Sequence, residues 1–166
     1  VDRSLDRALG RLCNGFAILG GLVLSALTVL SVASILSRLA VGKSVPGDFE
    51  LVEMGCAVAV FAFLPYCHLR RGNVIVDFAT MKANRRFNAT LDALGGAIYL
   101  AIAGLLVWRL ALGGADKLAS RETTMILGLP IWVAFVPIGL SLLLLVAVVA
   151  RRAWADLAVA AGRPPP

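Results

Sequence analysis

Four long apolar runs separated by short polar stretches set the pattern of this chain. They extend over about 12–36, 49–69, 91–112 and 126–150. About twenty apolar residues are enough to carry a helix through roughly 30 Å of hydrocarbon, and each run reaches that length. The runs are apolar on every face rather than along one stripe. Helices of that kind belong in lipid or deep inside a large protein, and a chain of 166 residues has no room to bury four of them. A signal peptide does not explain the first run, because its apolar region would be only about 7–15 residues long. The pattern predicts an all-α membrane protein with four transmembrane helices.

The stretches between the runs refine this picture. Residues 1–11 mix Asp2, Arg3, Asp6, Arg7 and Arg11 with Leu5, Ala8 and Leu9 at helical spacing, which predicts a short amphipathic N-terminal helix on the membrane surface. Gly42, Pro46 and Gly47 mark a turn, and Asp48 is placed to cap the second helix. Pro65 should bend the end of that helix. The stretch His68 to Asp77 is the hinge of the chain, and its Gly72-Asn73 pair is a turn signal. Beyond it, Asp77, Thr80, Asn84 and Asn88 recur at helical spacing, with Val74, Phe78 and Met81 on another side and Lys82, Arg85 and Arg86 beside them. That arrangement predicts an interfacial helix between the second and third spans. Gly113-Gly114 should end the third helix, Pro130 suits the first turn of the fourth, and Pro137 inside it predicts a kink. The expected organisation is an amphipathic segment over 1–11, a four-span membrane domain over 12–155 and a flexible tail over 156–166.

Composition agrees. The chain is 60% hydrophobic and 16% charged with a mean hydropathy of +0.88, against about 45–50% and about 25% in ordinary soluble domains. In a soluble protein a net charge of +6 would suggest nucleic acid. Here the bases cluster at the ends of apolar runs, so membrane lipids with anionic headgroups are the partner they fit, and no nucleic acid is implied. Arg3, Arg7 and Arg11 precede the first run, Arg70, Arg71, Lys82, Arg85 and Arg86 lie between the second and third, and Arg151, Arg152 and Arg163 follow the fourth. A four-span topology puts these groups on one side. The other side holds only Arg38, Lys43, Lys117 and Arg121, with Arg109 near it. The positive-inside rule makes the first side cytoplasmic, with both termini and the hinge on it. Trp108 and Trp132 then fall toward the outer interface and Trp154 toward the inner one.

No catalytic set is visible. There is one histidine, and no nucleophile elbow, zinc-protease helix motif or phosphate-binding loop. A two-histidine haem site is excluded by count. Cys13, Cys56 and Cys67 lie in apolar runs and read as packing residues, and Cys67-His68 falls short of the roughly four ligands zinc takes. The sequence therefore implies no metal, no cofactor and no enzyme activity. Charges at the outer ends of the spans are the remaining candidates. Ionisable groups in membranes are usually paired, so Glu50 or Glu53 is expected to pair with Arg38 or Arg109, or to dock a partner subunit. His68, Arg70, Arg71, Gly72, Asn73 and Asp77 are the candidate residues of the cytoplasmic hinge.

Arg38 after the first run, Glu50-Leu51-Val52-Glu53 opening the second, Leu64 through Asp77 at the hinge, and Leu129-Pro130 with Pro137-Ile138-Gly139 in the fourth form a recognisable order. It resembles the small membrane subunit of tripartite ATP-independent periplasmic (TRAP) transporters, the DctQ-like family. The resemblance implies a scaffold subunit of the bacterial inner membrane. It would join a large multi-span membrane subunit and a periplasmic substrate-binding protein in sodium-coupled uptake of organic acids. The competing reading is a self-sufficient small transporter or channel, acting as a homo-oligomer, with Glu50 and Glu53 as its pore or coupling residues. A third, a membrane anchor for a redox enzyme, lacks the histidines it needs.

Overall fold

The computed structural model describes residues 3–70 and 85–160, with side chains over 7–70 and 94–154. The described residues form four α-helices: α1 (Arg3–Val41), α2 (Asp48–Leu69), α3 (Arg85–Ser120) and α4 (Trp132–Ala160). Among the described residues the only β pairing is an isolated bridge between Thr123 and Pro130. All four helices contain a stretch long and apolar enough to cross a membrane.

The helices overrun the apolar runs that predict them. α1 starts at Arg3, so the amphipathic lead-in and the first apolar run are one continuous helix. It stops at Gly42, whose φ of 76° is left-handed and whose N–H reaches the Arg38 carbonyl at 3.0 Å. A glycine in that conformation is the common way to close a last helical turn. α3 does not stop at Gly113-Gly114 as expected but continues to Ser120, where Arg121 takes a positive φ of 50°. The reason is packing, since the Phe135 ring of α4 lies over Gly113 and Gly114. α4 begins at Trp132, a turn and a half later than the apolar run suggests, because residues 121–131 form a tight hairpin loop. The hinge residues Arg71, Gly72, Asn73 and Asp77, and the proposed interfacial helix up to residue 84, lie outside the described residues.

The helices stand in a row rather than a closed bundle. α1 packs on α2, α2 on α4 and α4 on α3, while α1 and α4 touch only slightly. α4 therefore carries the core. Its Ile138, Leu142, Leu145 and Val149 recur at helical spacing and meet Ala103 of α3 to form the buried cluster. Phe61 and Leu64 of α2 and Tyr99, Leu100 and Val107 of α3 pack around it. α1 approaches α2 closely because small residues allow it. A Cβ on Gly20 would stand 3.1 Å from Ala62 Cβ and 3.2 Å from the Ala59 carbonyl. Gly55 takes the Leu27 side chain in the same way. Lipid removes the usual hydrophobic drive between helices, so close van der Waals approach of this kind is what associates them.

Of the small-residue ladder Ala93, Ala97 and Ala101, with Gly96 and Gly104 nearby, a spacing that suggests helix packing, Ala97, Ala101 and Gly104 are exposed. The turn of α3 that meets α4 is offset from them and uses Gly96, 3.3 Å from Ala153 by its notional Cβ, and the buried Ala103.

Candidate functional site

Two polar clusters sit at opposite ends of the row. The first is at the loop end, where α1 and α3 finish and α2 and α4 begin. Gly47 (φ 78°) turns the chain into α2, so Gly47 and not Asp48 stands at the N-cap position. Asp48 is one residue further in and does other work. Its carboxylate accepts from the Phe49 N–H at 2.8 Å and from the Ser34 hydroxyl of α1. Ser34, almost fully buried, in turn accepts the Val45 N–H at 3.2 Å. Ser37 donates to the Lys43 carbonyl at 2.9 Å. Ser34 and Ser37 thus strap the 42–47 loop to α1. Ser25 and Thr28, earlier in α1, are exposed and donate to the carbonyls of Gly21 and Leu24.

In the first turn of α2, Glu50 receives the α3–α4 loop. Its two carboxylate oxygens accept the N–H groups of Ile126 at 2.7 Å and Leu127 at 2.9 Å. A carboxylate that takes two backbone amides forms charge-assisted bonds, stronger than neutral ones. The Leu127 side chain lies against Gly47, where a Cβ would come within 2.4 Å of it. Beside this contact Lys117, in the last turn of α3, is bonded to Glu122. The hydrogen bond from Lys117 holds the Glu122 carboxyl below the ordinary glutamate range.

The expected ion pair of Glu50 or Glu53 with Arg38 or Arg109 does not form within this chain. Glu50 is committed to backbone amides, and among the described residues no ion pair involves Arg38, Glu53 or Arg109. These three side chains are exposed on α1, α2 and α3 respectively. Residue types along the sequence hold no sign of Glu50's actual partner, because every residue but proline carries an amide.

The second cluster is at the opposite end. His68, in the last turn of α2, is half-buried and stacks on Tyr99 of α3, ring centroids 5.0 Å apart and planes 16° from parallel. Arg70 lies over the Tyr66 ring at 5.5 Å, and its Nε donates to the Tyr66 hydroxyl at 3.1 Å. Arg152 of α4 donates to the Leu69 carbonyl, one of the carbonyls that the end of a helix leaves without an intrahelical donor. Gly10 of α1 sits beside Leu69. Of the hinge residues named from sequence, the structure therefore places His68 and Arg70 and adds two that sequence reading missed, Tyr99 and Arg152.

Between the ends the interior is nearly free of polar side chains. Ser141, buried in α4, donates to the Phe61 carbonyl of α2 at 2.5 Å. Phe61 is four residues before Pro65, so its carbonyl has lost the helical N–H that would have bonded it. The neighbour that satisfies the bond broken by proline is thus a serine on the adjacent helix. Among the described residues no group of histidine, cysteine and acidic side chains is arranged to hold a metal.

The arrangement holds helices and loops together. The model of one family, described as the DctQ component of tripartite ATP-independent periplasmic transporters, matches residues 27–158. That span is well over half of the chain and takes in Glu50, the hinge and Ser141. No curated protein and no solved structure matches the chain. With four membrane-crossing helices and this match, the chain belongs to the DctQ family and is a multi-pass membrane component of a TRAP transporter.

Proposed function

We propose that this chain is the non-enzymatic scaffold subunit of a sodium-coupled transporter that takes up organic acids. It works with a large multi-span membrane subunit and a periplasmic substrate-binding protein in the bacterial inner membrane, with both termini and the hinge cytoplasmic. The observation that supports the scaffold role most directly is how its interior polar groups are used. Among the described residues the buried polar side chains are Ser34 and Ser141, and each is spent on joining one segment to another. Transporters usually bind substrate and ions near the midplane with broken helices and free polar groups. Nothing comparable stands at the middle of this row. Arg38, Glu53 and Arg109, exposed and without an ionic partner here, are the side chains left for docking the large subunit.

The competing reading, a self-sufficient transporter or channel, requires Glu50 as a pore or coupling group. Glu50 accepting two loop amides argues against that use. Reconstitution tests the choice. The chain alone in sodium-loaded liposomes should move neither sodium nor labelled organic acids. Together with the large subunit and the binding protein it should restore uptake, and it should co-purify with the large subunit. Solute or ion flux through the chain alone would end the scaffold reading.

A further inference from the structure

The α3–α4 loop combines two properties that rarely meet at a water-exposed turn. Its tip is apolar and fully presented, with Met125 101% and Ile126 62% exposed. Six of its backbone N–H groups, in contrast, are taken up by the protein itself. The N–H groups of Ile126 and Leu127 go to Glu50. Thr124 donates to the Leu129 carbonyl at 2.9 Å, Gly128 to the Thr124 carbonyl at 3.2 Å and Ile131 to the Glu122 carbonyl at 3.1 Å. Leu129 donates to the Thr124 hydroxyl at 3.0 Å, and Pro130 has no N–H to satisfy.

A loop in water has no need of this, because water bonds any free amide. A loop at the edge of the lipid gains from it, because each amide left unpaired away from water costs free energy. The level of the loop agrees. α2 has 22 residues, about 33 Å at 1.5 Å per residue, close to the roughly 30 Å of hydrocarbon. Its first turn, where Glu50 holds the loop, therefore stands at the lipid–water boundary. Phe49 is 73% exposed in the same turn, and Trp132 is exposed where α4 begins; tryptophan is enriched at membrane interfaces.

We propose that the tip 125–127 is a lipid-inserted cap. Glu50 ties off the amides of the turn so that Met125 and Ile126 can sit in the acyl-chain boundary next to Phe49. The inference concerns the membrane surface only and holds or fails independently of what the complex transports.

The unaltered chain in phospholipid nanodiscs provides the test, with two readouts by mass spectrometry. Met125 should be oxidised by hydroxyl radicals generated in the water more than about tenfold more slowly than methionine in a short peptide, as exposure governs such oxidation. Nanodiscs made with a diazirine-bearing phospholipid should leave carbene adducts on residues 125–127 after illumination. Oxidation at the rate of the free peptide places the tip in water and overturns the proposal. Slow oxidation without lipid adducts means that protein, a second copy included, covers the tip, and overturns it equally.

Discussion

The Ser141–Phe61 bond makes a prediction that only its pairing with Pro65 explains. Ser141→Ala leaves the Phe61 carbonyl without a donor, and interhelical bonds of this type in membranes are worth about 0.6–2 kcal/mol. Thermal unfolding in detergent should show a loss of that size. In a Pro65→Ala background the helix supplies its own N–H to Phe61, so Ser141→Ala should cost much less there. Equal costs in both backgrounds would mean that the serine does not compensate the proline. Glu50 acts through backbone as well. Glu50→Ala should raise amide hydrogen exchange at Ile126 and Leu127, whereas exchange within α4 should not change. Glu122 adds a pH dependence. The Lys117 hydrogen bond lowers its folded pKa, so the bond's contribution is whole above the ordinary glutamate range and is lost as pH falls through the depressed value. Thermal midpoints of the parent chain and of Lys117→Met should differ at neutral pH and converge in acid. The difference should also shrink in high salt, because both partners are substantially exposed. From sequence, Glu50 is recognisable as a charge at the outer end of a span. Its partner is not, because an acceptor for anonymous amides 76 and 77 residues away leaves no mark on residue types.

At the scale of elements, the apolar runs located every helix and misplaced most of their ends. The cause is physical. A hydropathy run marks what can remain in lipid, whereas a helix ends where a residue leaves αR or another segment intervenes. α1 has 39 residues, about 58 Å at the standard rise, and tilts of up to about 40° cannot fit that length into roughly 30 Å of hydrocarbon. Part of α1 therefore projects beyond the apolar layer. α3 passes through Gly113-Gly114 because the Phe135 ring covers the surface that two glycines would otherwise leave open. Along α2 the small residues Gly55 and Ala59 do meet α1, whereas along α3 the similarly spaced Ala97 and Ala101 are exposed. Small residues show that a helix can be approached, not which neighbour approaches. The α1–α2 contact has a direct test. At Gly20 a side chain would meet Ala62 and the Ala59 carbonyl, and a backbone carbonyl cannot move aside as a flexible side chain can. Gly20→Val should lower stability by about 1–3 kcal/mol, the usual range for overpacking. Gly21→Val, one residue away with nothing within 4 Å, should be nearly neutral in the same unfolding assay.

For the whole molecule, an open row gives the chain two broad lipid- or partner-facing sides and only one well-buried helix, α4. Its rigidity must then come from the ends, and both ends are tied. Glu50, Asp48 and Ser34 bind the loops at one, and Arg152, His68 and Tyr99 join α2, α3 and α4 at the other. Such a body suits a subunit that stays fixed while a larger neighbour moves. The proposed orientation rests on the basic residues. Arg7, Arg11, Arg70, Arg151 and Arg152 share the end at which the chain starts, the end that the positive-inside rule favours for the cytoplasm. Exposed single cysteines at the two ends read this out. Lys43→Cys in the 42–47 loop and Arg70→Cys at the end of α2 both replace exposed side chains, in a background with Cys13, Cys56 and Cys67 changed to alanine. In intact spheroplasts a membrane-impermeant maleimide should label the cysteine at 43 and leave the one at 70 unreacted. In inverted vesicles the two should exchange reactivity. Labelling at 70 from outside intact cells would turn the molecule over, and with it the proposed placing of the Glu50 clamp on the periplasmic side, where the proposed binding protein would arrive.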